Sequence, residues 1–463
     1  MRSVLHPCSR RRFLHAGSLA CMAAGLSQVM RLRATAAEPR ATNREDTAVI
    51  LVWLTGGLSH MDTYDMKPEA PIEYRGDFRA VSSCVPGIEL GELLPLHAKI
   101  ADRFSLVRSL SHGFGDHDGA HKRVLTGRIP KSPVGFVNDA PSVGCIVGKI
   151  REHLRPEVLA FTSGQRADTN ADSYSQGAGY LGPSYEPFLV GGDPSDPKWS
   201  VPNLSVVPEL GPRLTDRRTL LQRFDHMRKV LDKEPMLVAK DRFHEKAFSL
   251  LTSDAARRAF DISQEDPALR DRYGRNPYGQ QALLARRLIE AGTSFANVVM
   301  ESPGGPQPSD AVYNWDCHAV NCHVFHDARW RFPPFDQAVS ALIEDIYARG
   351  LDRKVMIVVT GEFGHTPRIN YQKGTGNGIM QPGRDHWPAA MSLLVSGGGL
   401  RMGQVIGSTN ALGEHPQDRP LSPNDLWATV YRHLGIDPNL SFPDHSGRPM
   451  PILPDGEPIR ELI

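Results

Sequence analysis

Histidines and acids gather in five short stretches of this 463-residue sequence, and their types suit a divalent ion or an oxyanion. The densest stretch, SHGFGDHDGAHKRVLTG from Ser111, holds His112, Asp116, His117, Asp118 and His121. GGLSHMDTYD carries His60, Asp62 and Asp65, and NWDCHAVN carries Asp316 and His318. GEFGHTP carries Glu362 and His365, and GRDHW carries Arg384, Asp385 and His386. Carboxylates and imidazoles together suit zinc, manganese or a related ion. Such an ion, with an open position, polarises a phosphoryl or sulfuryl oxygen and acidifies water. An arginine such as Arg384 can pair bidentately with an oxyanion.

Each residue also has a plainer reading. His60 can cap a turn, and Asp62 and Asp65 can serve as N-caps or Asx-turn residues. His117 and His121, four apart, can share a solvated helix face. His386, beside Trp387 and Pro388, can be a packed histidine. Glu362 is harder to explain this way, because it directly follows an apolar run where an unpaired acid is costly.

The elements that position these residues read as alternating strands and helices. Ala48–Thr55, Arg103–Leu110, EVLAF, Thr293–Met300, Lys354–Thr360 and AMSLLVSG are apolar runs of strand length. Asp118–Thr126, SVGCIVGKIREHL, QQALLARRLIEAG, PFDQAVSALIEDIYARG and an Asn-capped NDLWATVYRHLG read as helices. The alternation predicts an α/β fold, a mostly parallel sheet with helices on both faces. In such sheets ligands lie beyond the carboxyl ends of the strands. Four of the five stretches follow a strand; GRDHW instead precedes one. An irregular, Gly/Pro/Tyr-rich insertion around 164–207 could be a lid, and a helical segment spans about 214–291.

Net charge is +1, and no basic patch points to a nucleic acid. Ser9-Arg10-Arg11-Arg12-Phe13-Leu14, a mild apolar run and Ala34–Ala37 match a twin-arginine export signal over 1–37. That predicts the twin-arginine export machinery as a partner, a periplasmic or extracellular location, and a mature chain without a membrane span. The mature chain keeps Cys84, Cys145, Cys317 and Cys322. Cys84 and Cys145 read as small buried residues, while Cys317 and Cys322 could pair or bind metal.

GGLSHMDTYDMKP, LVGGDPSDPKW, AFDISQED, NWDCH, GEFGHTPRIN, GRDHWP and LGIDP…GRPMPI together resemble the secreted bacterial proteins of domain of unknown function 1501. That family is placed in the alkaline phosphatase/sulfatase superfamily of α/β metalloenzymes. The resemblance implies one alkaline phosphatase-like domain over 38–463. It implies that Asp316, His318 and His386 stand for metal ligands, with Glu362 replacing the usual acid pair and Asp62 the acid nearest the first strand. His117 stands at the nucleophile position, where sulfatases carry Cys or Ser, and His121 replaces the usual Arg. Ser109 and Ser111 are the nearest hydroxyls. Cys317 and His365 stand where the family usually carries Thr and Arg.

The expected function is metal-dependent hydrolysis of a phosphate or sulfate ester outside the cytoplasm. The substrate would be an anionic small molecule or glycan ester, polysaccharide included. Asp62, Asp316, His318, Glu362 and His386 are the expected ligands of zinc, manganese or calcium. His117, His121 and Arg384 are the expected catalytic groups. The alternative is a non-catalytic binding or assembly protein on a degenerate sulfatase-like scaffold.

Overall fold

Strand Ala48–Leu54 (β1) is buried at every residue, and its side chains alternate between two cores. Ala48, Ile50, Val52 and Leu54 enter one; Val49, Leu51 and Trp53 enter the other. This two-sided burial is why β1 reads as an unbroken apolar run rather than an alternating one. The computed structural model describes residues 44–135, 137–155, 158–165, 177–201 and 253–463. The export signal, the expected helices of 214–252, and residues 166–176 and 202–207 of the Gly-rich segment lie outside the described residues.

The main sheet also contains Phe104–Leu110 (β2), Phe161–Gln165 (β3), Phe188–Gly191 (β4), Phe295–Val299 (β5), Val355–Gly361 (β6), Met391–Gly397 (β7) and Val405–Ile406 (β8). Its order is β8-β2-β7-β6-β1-β5-β3-β4. Every pairing is parallel except those of β7 with β2 and β6. The five longest described helices are His117–Thr126 (α1), Val143–Arg151 (α2), Pro277–Ala291 (α3), Val324–Ala348 (α4) and Pro423–Leu434 (α5). Side chains of α3 and α4, such as Leu283, Phe332 and Leu342, fill the core on one face. Val124 of α1, Ile146 of α2 and Trp427 of α5 fill the other. The fold is therefore the α/β type expected, mostly parallel with helices on both faces.

Four local expectations need correction. Part of the stretch read as irregular is strand β4, which pairs with β3 at the sheet edge. Helix α4 starts at Val324 and runs through Pro333 and Pro334, because burial of Phe325, Ala328 and Phe332 outweighs the local cost of the prolines. Helix α5 is capped by Ser422, not Asn424; Ser422 and Asp425 form a reciprocal capping box. Cys84 is exposed rather than buried; Cys145, Cys317 and Cys322 are buried and form no disulfide among the described residues.

The antiparallel strand matters most for placement. Because β7 runs against its neighbours, the residues before it lie at the edge where the other strands end. Beyond β1, Gly56 and Gly57 turn the chain with φ values of +99° and +81°. A Cβ on Gly56 would lie 2.4 Å from the Asp316 backbone nitrogen. The turn and the loop after β5 are in direct backbone contact there, so only glycine fits. Gly56→Ala is expected to cost at least about 2 kcal/mol, from left-handed strain plus overlap. Urea unfolding of the variant beside the original chain checks this.

Candidate metal centre at the strand ends

Glu362, the first residue past β6, has no exposed surface. One carboxylate oxygen, Oε1, accepts from the Gly56 amide at 2.7 Å. The same oxygen lies 3.0 Å from His117 Nδ1 and 3.4 Å from His121 Nε2. Its other oxygen, Oε2, is buried without a hydrogen-bond partner. Burial raises the Glu362 pKa, but the neighbouring His121 and His117 outweigh it and hold the carboxyl below its ordinary value.

Asp316 gathers the second group. Its Oδ1 lies 2.7 Å from His318 Nε2 and 2.7 Å from His386 Nε2. Those two ring nitrogens are 2.9 Å apart. The remote nitrogens fix the rings. His386 Nδ1 lies 2.7 Å from the Gly115 carbonyl, and His318 Nδ1 lies 2.7 Å from Asp385 Oδ1. A carbonyl can only accept, so His386 Nδ1 carries a hydrogen and Nε2 is the ring nitrogen aimed at Asp316. Asp385 is held in turn by Asn370 Nδ2 at 3.0 Å. A ligand nitrogen aimed inward by a hydrogen bond on the other side of the ring is the usual support of a metal-bound histidine.

His117 joins the two groups. Its Nδ1 faces Glu362 and its Nε2 lies 3.4 Å from Asp316 Oδ2. Burial lowers its pKa, but hydrogen bonds to Asp316 and Glu362 prevail and raise it to about 10. Burial likewise raises the Asp316 carboxyl, and contacts with His117, His318 and His386 reverse this and hold it low. Asp118, the next residue of the helix, is used elsewhere: its Oδ2 accepts the Gly135 amide at 2.8 Å.

These donors fit a divalent ion. His117, His121 and Glu362 bring ligand atoms within 4.8 Å of one another, and so do His117, Asp316 and His386. A buried carboxylate oxygen without a donor is a place where a cation removes a desolvation cost. Imidazole-rich donors favour zinc or manganese over calcium, which prefers oxygen alone.

Two expected residues fall elsewhere. Asp62 is not among the converging groups, because both its oxygens are engaged. Arg384 Nε reaches Oδ2 at 2.9 Å and Nη2 reaches Oδ1 at 3.2 Å, and the Ser59 hydroxyl donates to Oδ2 at 2.5 Å. Arg384 is no oxyanion clamp either. Its remaining donors go to the carbonyls of Thr366, Pro367 and Tyr74, so all five N–H groups are used, and it is fully buried. The pair is a structural tie between the Asp62 turn and the segment before β7. His365 is also outside the cluster: its Nε2 binds the Gly56 carbonyl at 2.7 Å, and burial lowers its pKa to about 4. The Ser109 hydroxyl donates to the Arg419 carbonyl at 2.6 Å and has no exposed surface. The supporting roles of Asp385 and Asn370 were not legible in the sequence; a carboxylate directly before His386 was the available signal.

Arg384→Met strands a buried Asp62 charge and is expected to cost about 3–5 kcal/mol, whereas Arg384→Met with Asp62→Leu costs much less; denaturant unfolding of both compares them. The metal-free protein also has a defined pH dependence. The raised His117 pKa stabilises fully below its ordinary value of 6.5 and less as pH rises toward about 10. The lowered Asp316 and Glu362 stabilise above the ordinary carboxylate range and less as pH falls. Melting of chelator-treated protein should therefore peak at mildly acid pH, and His117→Gln should flatten the alkaline fall.

No curated protein matches this sequence. Among solved structures, it is similar to a phosphonate monoester hydrolase from Silicibacter pomeroyi, with 11% identity over 89% of this chain and 76% of that one, TM-score 0.38. It is similar to a magnesium-bound variant of TAB5 alkaline phosphatase, with 12% identity over 84% and 98%, TM-score 0.39. It is also similar to the lipoteichoic acid synthase LtaP from Listeria monocytogenes, with 11% identity over 85% and 72%, TM-score 0.34. The family model described as "Protein of unknown function (DUF1501)" matches residues 46–463, and the chain belongs to that family.

Proposed function

We propose that this protein is an exported, metal-dependent hydrolase of phosphate or sulfate esters. One observation carries the reading. Asp316, His318, Glu362 and His386, from segments distant in sequence, converge with His117 and His121 at one edge of the sheet. Asp316, His318 and His386 would hold one divalent ion, zinc or manganese by donor type. Glu362 and His121 would hold or flank a second. Such ions, when bound, supply electrophilic help to the ester oxygen and acidify water.

The chain's own residues supply the rest. With Ser109 buried and tied to a carbonyl, that hydroxyl is not available for a covalent step. In this reading water attacks phosphorus or sulfur, and the ester oxygen leaves as the alcohol with a proton from His117. His117 lies between the two carboxylates, which hold its proton, so it is placed to give that proton to the leaving oxygen and to regain one from the attacking water. Asp385 and the Gly115 carbonyl keep His318 and His386 from rotating.

The substrate's location is proposed to be extracytoplasmic, from the twin-arginine pattern at Ser9–Leu14. Among the described residues, no helix is long and apolar enough to cross a membrane. A non-catalytic binding role has one observation in its favour: the cluster lacks both an available Ser109 hydroxyl and a free Arg384.

Elemental mass spectrometry of the purified protein should find about one or two equivalents of zinc or manganese, lost in Glu362→Ala/His386→Ala. Hydrolysis of p-nitrophenyl phosphate or p-nitrophenyl sulfate should fall about 100-fold or more in His117→Ala. Bound metal without turnover of either ester class would favour the binding role. No metal after reconstitution would overturn the metal-centre reading.

A further inference from the structure

A pocket of about 340 Å³ adjoins the cluster. It shares one wall residue with it, Asp385, which supports His318. Thr366, Arg368, Asn370, Trp387 and Glu414 also line it. That volume is near the lower end for ligand clefts, about 300–1,000 Å³, and suits a single ring better than a long chain.

The polar groups of this wall are only partly used. Thr366 Oγ1 accepts from the Asp385 amide at 2.9 Å, which leaves its hydroxyl hydrogen to donate. Asn370 spends its amide nitrogen on Asp385 Oδ2, which leaves its carbonyl oxygen to accept. Glu414 Oε2 takes the Asn410 amide at 2.9 Å. Trp387 Nε1 donates to the Glu414 carbonyl at 2.6 Å, which anchors its ring in the wall. Donors and acceptors in alternation beside an indole suit a ring that carries several hydroxyls.

Arg368 is the remaining charge. It is exposed, shares the lining with Asp385 and Glu414, and pairs with neither; among the described residues it makes no ion pair or hydrogen bond. Both Asp385 oxygens are occupied, by His318 and Asn370. Arg384, the other arginine of this segment, has no donor left. A free guanidinium in a small polar pocket is a two-pronged receptor for a carboxylate, sulfate or phosphate group.

We propose that this pocket is a substrate subsite that takes a sugar-like polyol ring bearing a second anionic group, with Arg368 reading that group. The reacting ester would occupy the cluster, and that part rests on the hydrolase reading. The pocket thus sets specificity: the preferred substrate carries two anions, only one of which is an ester at the cluster.

The test compares D-glucose 1,6-bisphosphate with D-glucose 6-phosphate, and the corresponding D-mannose pair, on the metal-reconstituted protein. Calorimetry reads affinity, saturation-transfer NMR reads contact with ring protons, and phosphate release is followed separately. The expected result is at least tenfold tighter binding of a bisphosphate, with saturation of its ring protons. Arg368→Ala should abolish the preference and Arg368→Lys should keep part of it. Arg368 is exposed and unpaired, so circular dichroism and melting of both variants should match the original chain. Equal affinities for mono- and bisphosphates, or a preference that survives Arg368→Ala, would overturn the subsite. The two readings separate cleanly. An Arg368-dependent preference without hydrolysis upholds the subsite and removes the hydrolase reading. Hydrolysis of p-nitrophenyl phosphate without any preference does the reverse.

Discussion

An ionised carboxylate with no exposed surface dictates much of this architecture. Glu362 follows a strand that is buried throughout, and burying its charge is costly unless cations or donors surround it. The Gly56 amide and two imidazoles meet one oxygen, and the other is buried without a hydrogen-bond partner. Gly56 must be glycine to bring that amide in, and α1 must start at His117 to bring the imidazoles. Asp116 sets that start, since its side chain caps the helix by accepting the Gly119 amide at 2.7 Å. Turn, cap and strand end are thus tied to a single charge.

The strand direction extends the same constraint. A wholly parallel sheet would carry the segment before β7 to the opposite edge. Reversing β7 delivers His386 to the edge where Glu362 stands, beside Asp316 from the loop after β5. Phe363 stacks on the His386 ring with centroids 3.9 Å apart, so the strand end also packs the histidine it faces.

Much of this was legible in the residues. Unbroken apolar runs of strand length rich in β-branched residues, such as AVILVWL, read as two-sided strands, and polar residues clustered beside them marked the edge where the cluster forms. His117 and His121 were ambiguous by spacing alone; burial of His121 and the nearby Glu362 decide it. Asp62 and Arg384 looked like site residues because their types fit. Only the fold shows that they satisfy each other. Pairing between positions so far apart leaves no local periodicity to read. The edge strand Phe188–Gly191 was missed for a related reason. It is short, half-exposed and flanked by Gly and Pro, so its identity comes from its neighbour β3 rather than from its own composition.

The connection from β6 to β7 has a consequence for how this scaffold diversifies. Those strands are adjacent and paired, so the sheet itself clamps both ends of the intervening chain. That chain contains a hairpin, Asn370–Lys373 with Met380–Gly383, whose tip residues 375–379 are exposed. Insertions or deletions at the tip leave the clamped ends in place. The hairpin can therefore be lengthened, shortened or exchanged as a cassette while the cluster of Asp316, Glu362 and His386 stays untouched.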